Sequence, residues 1–381
     1  MFIWSLKIKI WGWYMFLKQL DLCNFRNYET LKLDLNEHTN IICGNNAQGK
    51  TNILEAIYFL GLTRSHRLSE TIDLIQNGKD FATVSGILKN EDSSQNFFIG
   101  FDKKQKNLKI DNKSIKKVGE YVTNINLILF CPDDLDILKG NPDVRRRFLN
   151  TEISQISNSY FKLLEEYNKL LKMRNDYLVN SFNNFDSNYF SILTNYLVDR
   201  TISICKYRKN FIDKINRNIS SIYQNITGLS NFSICYKPNI DVDYQLENVR
   251  QEIINMYQQL ENKEREACKT LLGPHRDDFE FYLQENNLKS HGSQGQQRVA
   301  VLSLKLAEIP IFEEIKRTTP IILLDDVLSE LDLDKKSSLL KYIMNKMQVI
   351  ITTTDINDIH EDIIKHANVI KIKEGKIEEV I

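Results

Sequence analysis

A chain of 381 residues is long enough for one large domain or two, each with a substantial hydrophobic core. Its 50 lysine and arginine residues balance 50 aspartate and glutamate residues, so the formal net charge is zero. This balance excludes attraction of nucleic acid by the field of the whole protein, and such binding requires a local basic patch.

The first fourteen residues differ in composition from the rest of the chain. All three tryptophans lie here, and Lys7 and Lys9 interrupt the apolar residues. A signal peptide or membrane anchor needs a longer uninterrupted apolar run. We therefore interpret residues 1–14 as a non-native extension from a misplaced start codon, with an interfacial anchor as the alternative.

The six cysteines are far apart and form no C-x-x-C pair. This spacing argues against a disulfide framework or a zinc site, and it predicts a protein of the reducing cytoplasm.

Residues 16–43 alternate between apolar and polar side chains, which predicts strands. Between these strands lies the segment NFRNY, in which Arg26 is expected to reach a bound nucleotide. The alternative interpretation of Arg26 is a solvated loop arginine.

The segment 40–61, NIICGNNAQGKTNILEAIYFLG, predicts a buried strand, a glycine-bounded loop and a helix. It matches the phosphate-binding pattern G-x-x-x-x-G-K-[ST]. A triphosphate needs backbone N–H groups at the positive end of a helix, and the two glycines allow the tight path of such a loop. Lys50 is expected to reach the outer phosphates, and the Thr51 hydroxyl to bind Mg²⁺. The residues predicted to cradle ATP are Gly44, Asn45, Asn46, Ala47, Gln48, Gly49, Lys50 and Thr51.

Short β-rich runs follow over residues 80–130, with turn signals between them. They predict a small antiparallel sheet beside the nucleotide-binding strand.

The chain then changes character, because no proline occurs between Pro142 and Pro238 and apolar residues recur at helical spacing. Two long periodic segments predict an antiparallel helical pair that forms an arm or second lobe. Residues 143–217 hold 13 Lys/Arg against 8 Asp/Glu, a net charge of +5. Such a run is usually a solvated helix face, but here it also suggests DNA contact. The candidate DNA-binding residues are Arg145, Arg146, Arg147, Lys206, Arg208 and Lys209.

From residue 268 the pattern returns to alternating strands and helices, which is typical of a parallel α/β sheet. The apolar run at 321–324 ends in Asp325 and Asp326, the expected partner of a phosphate loop. We expect Asp325 to hold Mg²⁺ and Asp326 to polarise the attacking water, so the candidate catalytic residues are Lys50, Asp325 and Asp326. Thr353 and Thr354 follow the next predicted strand, and either is a candidate sensor of the γ-phosphate.

A second candidate phosphate site lies at Ser293, Gly295 and Gln296, which open another predicted helix. A chain with a complete phosphate loop has no need of a second helix end for the same nucleotide. We therefore expect a two-fold dimer, in which this serine motif covers the γ-phosphate held by the other subunit. Residues 329–332, just after the acid pair, are expected to line the same interface.

Taken together, these segments resemble the ABC-type ATPases of the SMC/Rad50 group, and within it bacterial proteins of recombinational repair. The resemblance runs from about Met15 to the C-terminus, and Asn141 departs from the small residue usual at its position. It is carried by the motifs NFRNYE, GNNAQGKTNILEAI, SHR, PDDLDILKG with RRRFL, LLGPHRDD, GSQGQQR and LLDDVLSELD.

The resemblance implies an ATPase head with a parallel core sheet, an antiparallel β subdomain and an inserted helical lobe. It implies ATP-dependent dimerisation on DNA at gaps and junctions of single and double strands. It also implies slow, DNA-dependent ATP hydrolysis, with RecR and RecO as partners in loading recombinase and a link to the SOS response. We place the N-terminal part of the head at 15–135, the helical lobe at 136–270 and the rest of the head at 271–381.

Two other functions fit some of these motifs. An ATP-binding subunit of a membrane transporter has the same phosphate loop, acid pair and serine motif. Against this function, roughly 240 residues separate the two nucleotide motifs in the present chain, and they include a long helical arm. A chromosome clamp that binds ATP without hydrolysing it carries the same residues, so the sequence leaves it open.

Overall fold

The computed structural model describes residues 14–68, 70–90, 93–181, 184–330, 332–344, 346–356 and 359–380. The extension proposed for residues 1–14 lies almost entirely outside the described residues. The chain forms two compact units: residues up to Pro132 together with those from Glu308 onward, and residues Asp133–Ala307.

The chain begins with the N-terminal part of unit 1. Its elements are β1 (Phe16–Phe25), β2 (Tyr28–Asp34), β3 (Thr39–Cys43), α1 (Lys50–Leu62), β4 (Phe81–Lys89), β5 (Ser94–Asp102), β6 (Lys106–Ile110), β7 (Lys113–Ile115), α2 (Val118–Val122) and β8 (Leu127–Phe130). The predicted antiparallel sheet is confirmed, with strand order β2-β1-β4-β5-β6-β7. Its alternating burial, as in β4, leaves one face of the sheet for the core.

Unit 2 follows as one continuous stretch. Its elements are α3 (Leu135–Lys139), α4 (Pro142–Ile156), α5 (Asn158–Asn180), α6 (Ser187–Thr227), β9 (Phe232–Lys237), α7 (Val249–Ala267), β10 (Asp278–Leu283), β11 (Asn286–Asn287), α8 (Leu288–His291) and α9 (Gln294–Leu306). The predicted pair of long helices is confirmed as α5 and α6. Within the described residues, every helix is too short or too polar to cross a membrane.

The C-terminal segment returns to unit 1. Its elements are α10 (Ile309–Lys316), β12 (Ile321–Asp325), α11 (Leu333–Ile343), β13 (Val349–Thr353), α12 (Glu361–Ile364), β14 (Asn368–Lys373) and β15 (Lys376–Val380). These strands complete a second sheet of order β15-β14-β3-β13-β12-β8, whose members are parallel except for the β14–β15 hairpin. All five residues of β3, β12 and β13 are buried, as expected for a parallel sheet.

The units divide the chain differently from the predicted lobes. Residues 271–307 were expected in the nucleotide-binding head but group with the helical unit. The reason is packing and pairing: α9 contacts α3 and α6, and β10 pairs with β9 along its full length.

A buried polar network holds unit 2 together around the turn 273–278. The Asp277 carboxylate is fully buried. It accepts hydrogen bonds from the Arg208 guanidinium at 2.6 Å, from the Asn239 backbone N–H at 2.8 Å and from the Tyr236 hydroxyl. A second fully buried pair joins Arg174 to Glu264 at 2.6 Å. Breaking one partner of such a pair leaves an uncompensated buried charge, so these residues fix the unit.

His275 lies at the edge of this network. Its Nδ1 atom is 2.5 Å from the Tyr167 hydroxyl, and its Nε2 atom is 3.3 Å from the Thr270 carbonyl oxygen. Burial lowers the pKa of His275 to about 4, and the nearby Arg276 and Arg146 act in the same direction. The folded imidazole is therefore neutral at neutral pH.

A histidine with a depressed pKa makes folding sensitive to acid. Its contribution to stability is complete above the unfolded pKa of about 6.5 and is lost as the pH falls toward 4. Between pH 7 and pH 4 we expect the wild-type protein to lose about 2–3 kcal/mol more unfolding free energy than His275→Gln. Urea denaturation of both proteins across this pH range measures the difference, and parallel curves would contradict the assignment.

Candidate functional site

The phosphate loop, residues 44–49, connects the carboxyl end of β3 to the first residue of α1. Gly44 and Gly49 both have positive φ angles, 153° and 108°. A Cβ atom at Gly44 would lie 2.3 Å from the Ile372 carbonyl oxygen, so both conformation and space require glycine there. The loop therefore joins a buried strand to a helix N-terminus, as the sequence predicts, and a helix N-terminus attracts anions.

Lys50 is buried and folds back over this loop. Its ammonium donates to the carbonyl oxygens of Gly44 at 2.6 Å and Asn45 at 2.8 Å. Burial lowers the pKa of Lys50, while the negative charges of Asp326 and Asp325 oppose that shift. A cation held in this way is available to phosphate oxygens that enter the loop.

Thr51 and Asp325 are brought together although they lie 274 residues apart in the sequence. The Thr51 hydroxyl donates to the Asp325 carboxylate at 2.9 Å, and the Thr352 hydroxyl donates to the same oxygen at 2.8 Å. A hydroxyl and a carboxylate are hard oxygen ligands, and Mg²⁺ prefers such ligands beside a phosphate. This pair therefore fits the metal site predicted from the sequence.

Asp326 directly follows β12 and is held in an unusual backbone conformation. Its φ is 54°, in the left-handed region, and its backbone N–H donates to the Thr352 hydroxyl at 3.1 Å. The Ser329 hydroxyl donates to the Asp326 carbonyl oxygen at 2.7 Å. This conformation is uncommon for a residue with a side chain, and here it occurs next to the candidate metal ligand Asp325.

A cavity of about 590 Å³ opens beside the loop. Asn45 and the exposed Thr354 line it, whereas Thr353 is buried and its hydroxyl donates to the Asp355 carbonyl oxygen at 2.9 Å. Of the two candidate γ-phosphate sensors, Thr354 therefore faces the loop cavity. Of the predicted interface segment 329–332, residue 331 and the side chain of residue 330 lie outside the described part of the structure.

Arg26 has a partner that the sequence analysis missed. Its guanidinium forms a bidentate pair with Glu55 at 2.8 and 3.1 Å, and the Ser65 hydroxyl donates to the same carboxylate at 2.5 Å. Glu55 lies on α1, four residues after Thr51, and its carboxylate is buried. Arg26 is therefore an ion-paired residue beside α1 rather than a solvated loop arginine.

The serine motif lies at the start of α9 in unit 2. The Ser293 hydroxyl accepts a hydrogen bond from the Gln296 backbone N–H at 3.3 Å. The Gln296 side-chain oxygen accepts one from the Ser293 backbone N–H at 2.9 Å. This reciprocal capping box leaves the single hydroxyl hydrogen of Ser293 and the amides of Gln294 and Gly295 as donors. These donors suit an anion.

The arginines predicted to contact DNA divide into two groups. Arg208 is about 1% exposed and pairs with Asp277, and Arg145 is 5% exposed and pairs with Asp278. DNA contact was therefore a wrong prediction for these two residues in this structure, because their charges are used inside the unit. Of the other predicted residues, Arg147, Lys206 and Lys209 are exposed to solvent, and Arg146 is partly exposed.

Arg276 is an exposed cation that the DNA prediction did not include. Arg146 donates to the Asp277 carbonyl oxygen at 2.8 Å, and Arg276 donates to the Thr270 carbonyl oxygen at 3.3 Å. Both arginines lower the pKa of His275, so both lie close to it on the same part of unit 2. The dipeptide His275-Arg276 was visible in the sequence, but its proximity to α4 was not.

Comparison with known proteins places these observations in a family. The model described as the RecF/RecN/SMC N terminal domain matches residues 16–378. The DNA replication and repair protein RecF of Bacillus cytotoxicus is 38% identical over 96% of this chain and 98% of that protein. The protein of the same name from Exiguobacterium is 40% identical over 96% of this chain and 99% of that protein.

Solved structures agree with these relatives. A structure of the recombination mediator protein RecF with ATP in the RecFOR pathway has a TM-score of 0.89 and 31% sequence identity, and covers 97% of this chain and 98% of that one. The Smc head domain from Pyrococcus furiosus, at 16% identity and a TM-score of 0.53, covers 96% of both chains and shares the fold.

Two neighbouring cations on α6 test the structural role of the buried arginine. Arg208→Ala removes one partner of a buried ion pair and should lower the unfolding free energy by about 3–5 kcal/mol. Lys206→Ala, two residues away and exposed, should change it by less than about 0.5 kcal/mol. Urea denaturation followed by circular dichroism measures both values. Equal stabilities would show that the buried pair does not hold unit 2 together.

Proposed function

Since this chain belongs to the RecF family, we propose that it is an ATP- and DNA-binding protein of DNA replication and recombinational repair. The names of its relatives and the ATP in a similar RecF structure support this proposal. The names of these relatives do not support the alternative of a transporter subunit.

The observation that carries ATP binding is the meeting of Thr51, Asp325 and Lys50 at one edge of the parallel sheet. The Thr51 hydroxyl and the Asp325 carboxylate are 2.9 Å apart, and the negative charge of Asp325 opposes the lowering of the Lys50 pKa by burial. Such an arrangement of a metal-ligating pair and a cation at the end of a glycine-bounded loop fits a nucleoside triphosphate with Mg²⁺.

The residues of the loop then have distinct roles. The amides of the loop and the Lys50 ammonium would bind the β- and γ-phosphates, and Thr51 and Asp325 would hold Mg²⁺. The metal ion would neutralise charge that develops on the phosphates. Asp326 orients the attacking water or accepts its proton, and its carboxylate lies close enough to Lys50 to oppose the lowering of that lysine's pKa.

The serine motif gives the second half of the pocket. Its free donors, Ser293 and the amides that follow it, suit the γ-phosphate of a nucleotide held by another copy of the chain. ATP would therefore bridge a two-fold dimer with two nucleotides, and hydrolysis would remove the bridge. We propose slow, DNA-dependent hydrolysis that acts as a switch, as well as cooperation with RecR and RecO at DNA gaps and a part in the SOS response.

DNA contact is assigned to the exposed cations of unit 2. We call Arg146, Arg147 and Arg276 the basic group: Arg146 and Arg276 both lie near His275, and Arg147 follows Arg146 on α4. Arg146 is only partly exposed and pairs with Asp143, and Lys206 and Lys209 lie on α6. Contacts of this kind bind phosphates without reading sequence, and they weaken as salt rises.

Two substitutions separate nucleotide binding from hydrolysis. Lys50→Ala should abolish ATP-dependent dimers because the outer phosphates lose their cation. Asp326→Asn should bind ATP and trap the dimer because the water is no longer activated. Sedimentation velocity with ATP and Mg²⁺, together with phosphate release on gapped DNA, measures both effects. Normal turnover by Asp326→Asn would refute its role, and wild-type dimers without turnover would favour the chromosome clamp.

Salt dependence tests the basic group on unit 2. Replacing Arg147 or Arg276 by alanine should weaken DNA binding for all sequences and reduce the slope of log affinity against log salt by about one each. Arg250→Ala is the matched control, since this exposed arginine pairs with Asp199 on α6 instead. Fluorescence anisotropy with a gapped duplex gives the slopes. The assignment fails if all three variants match the wild type.

A further inference from the structure

Two turns outside the phosphate loop hold its residue Gln48. One is the β1–β2 turn at Asn27, and the other is the β14–β15 turn at Glu374 and Gly375. The Gln48 carbonyl oxygen accepts from the Asn27 side-chain amide at 3.3 Å and from the Gly375 backbone N–H at 3.2 Å. These bonds anchor one peptide of the loop to both turns.

The anchoring fixes the direction of the next amide. In a trans peptide the C=O and the N–H point in opposite directions. Because the Gln48 carbonyl points toward the two turns, the N–H of Gly49 in the same peptide points away from them, toward the inside of the loop. The Tyr28 hydroxyl, which is buried, also donates to the Gly49 carbonyl oxygen at 3.1 Å. The amides that meet an anion are thus oriented from outside the loop.

The side chain of Gln48 also contacts the β14–β15 turn. Its carbonyl oxygen accepts a hydrogen bond from the Glu374 backbone N–H. Glu374 and Gly375 have φ angles of 49° and 71°, as in the two-residue type I′ turn that joins twisted strands. A short turn of this type presents its two adjacent amides to Gln48 in a fixed arrangement.

Packing leaves little freedom at this junction. A Cβ atom at Gly49 would lie 2.6 Å from the Asn27 amide nitrogen and from the Tyr28 hydroxyl. A Cβ atom at Gly375 would lie 3.1 Å from the same Asn27 nitrogen. The loop and both turns therefore touch, and a displacement of the hairpin is transmitted to the loop.

We propose that the β14–β15 turn is a positioning element for the phosphate loop, with Gln48 and Asn27 as positioning residues. This inference rests on the proposed ATP binding. It adds a role for Gln48, which was predicted as one of the loop residues that cradle ATP: its side chain ties the loop to the C-terminal hairpin.

The test measures affinity for a fluorescent ribose-modified ATP in the full-length protein with Mg²⁺. Gln48→Ala removes the bond between the Gln48 side chain and the Glu374 backbone N–H. Asn27→Ala removes the bond to the Gln48 carbonyl oxygen, together with the bond that Asn27 accepts from Asn52. Each substitution should weaken binding about 3- to 10-fold. The double variant should weaken binding by less than the product of the two effects, because both substitutions loosen the same residue of the loop.

Amide hydrogen exchange in the nucleotide-free protein separates positioning from direct contact. Exchange at residues 48–51 and 374–375 should rise in Gln48→Ala. Gln48→Glu keeps an acceptor oxygen for the Glu374 amide, so exchange at Glu374 should stay slow in that variant.

Two control variants are matched to the test variants: one changes another residue of the same hairpin, and the other is the same asparagine-to-alanine change in a different turn. Glu379→Ala removes an ion pair with Lys371 on the same hairpin, and Asn124→Ala removes an amide-to-carbonyl bond in another turn of unit 1. Both should bind the nucleotide as the wild type does.

Wild-type affinity and exchange in Gln48→Ala would overturn the positioning role while leaving the proposed function standing. Fully multiplicative effects in the double variant would also overturn it, since Asn27 would then act on its own. Absence of ATP binding by the wild-type protein would overturn the proposed function and this inference with it.

Discussion

The site depends on a hydrogen bond between two residues from opposite ends of the sequence, Thr51 and Asp325. It forms because β3 and β12 lie on either side of β13 in one parallel sheet, so their carboxyl ends meet at the same edge. Thr352, at the end of β13, completes the contact from the strand between them. Polar groups at this edge are the usual ligand site of open parallel sheets, and the buried apolar strands below hold them rigidly.

The helical unit follows a different physical rule. Its arginines Arg145, Arg174 and Arg208 are buried, and each is paired with a carboxylate. Burying such charges is expensive unless every partner is present, so the network fixes one arrangement of helices around the turn 273–278. The positive charge left for DNA is consequently smaller than the net charge of the sequence segment suggests.

Much of this architecture was predictable because local signals were strong. The loop glycines, the apolar strands and the helical periodicity of α5 and α6 each point to one structure. The fate of Arg208 was not predictable, because its partner Asp277 is 69 residues away and only the fold brings them together. The same holds for Glu55, which reads as an ordinary helix residue until Arg26 is placed beside it. Gln48 matched a phosphate-loop position, yet its contact with the C-terminal hairpin depends on the order of strands in the sheet.

In the proposed mechanism, each chain supplies half of a nucleotide pocket: the phosphate loop from unit 1 and the serine motif from unit 2 of another copy. Mixing Lys50→Ala protein with Ser293→Ala protein tests this directly by ATP turnover on gapped DNA. Neither protein can form a complete pocket by itself, but a mixed dimer has one complete pocket. An equal mixture should therefore recover about a quarter of wild-type turnover if the subunits pair at random, and about a half if only mixed dimers form. Recovery of none, with mixed dimers present, would contradict the account.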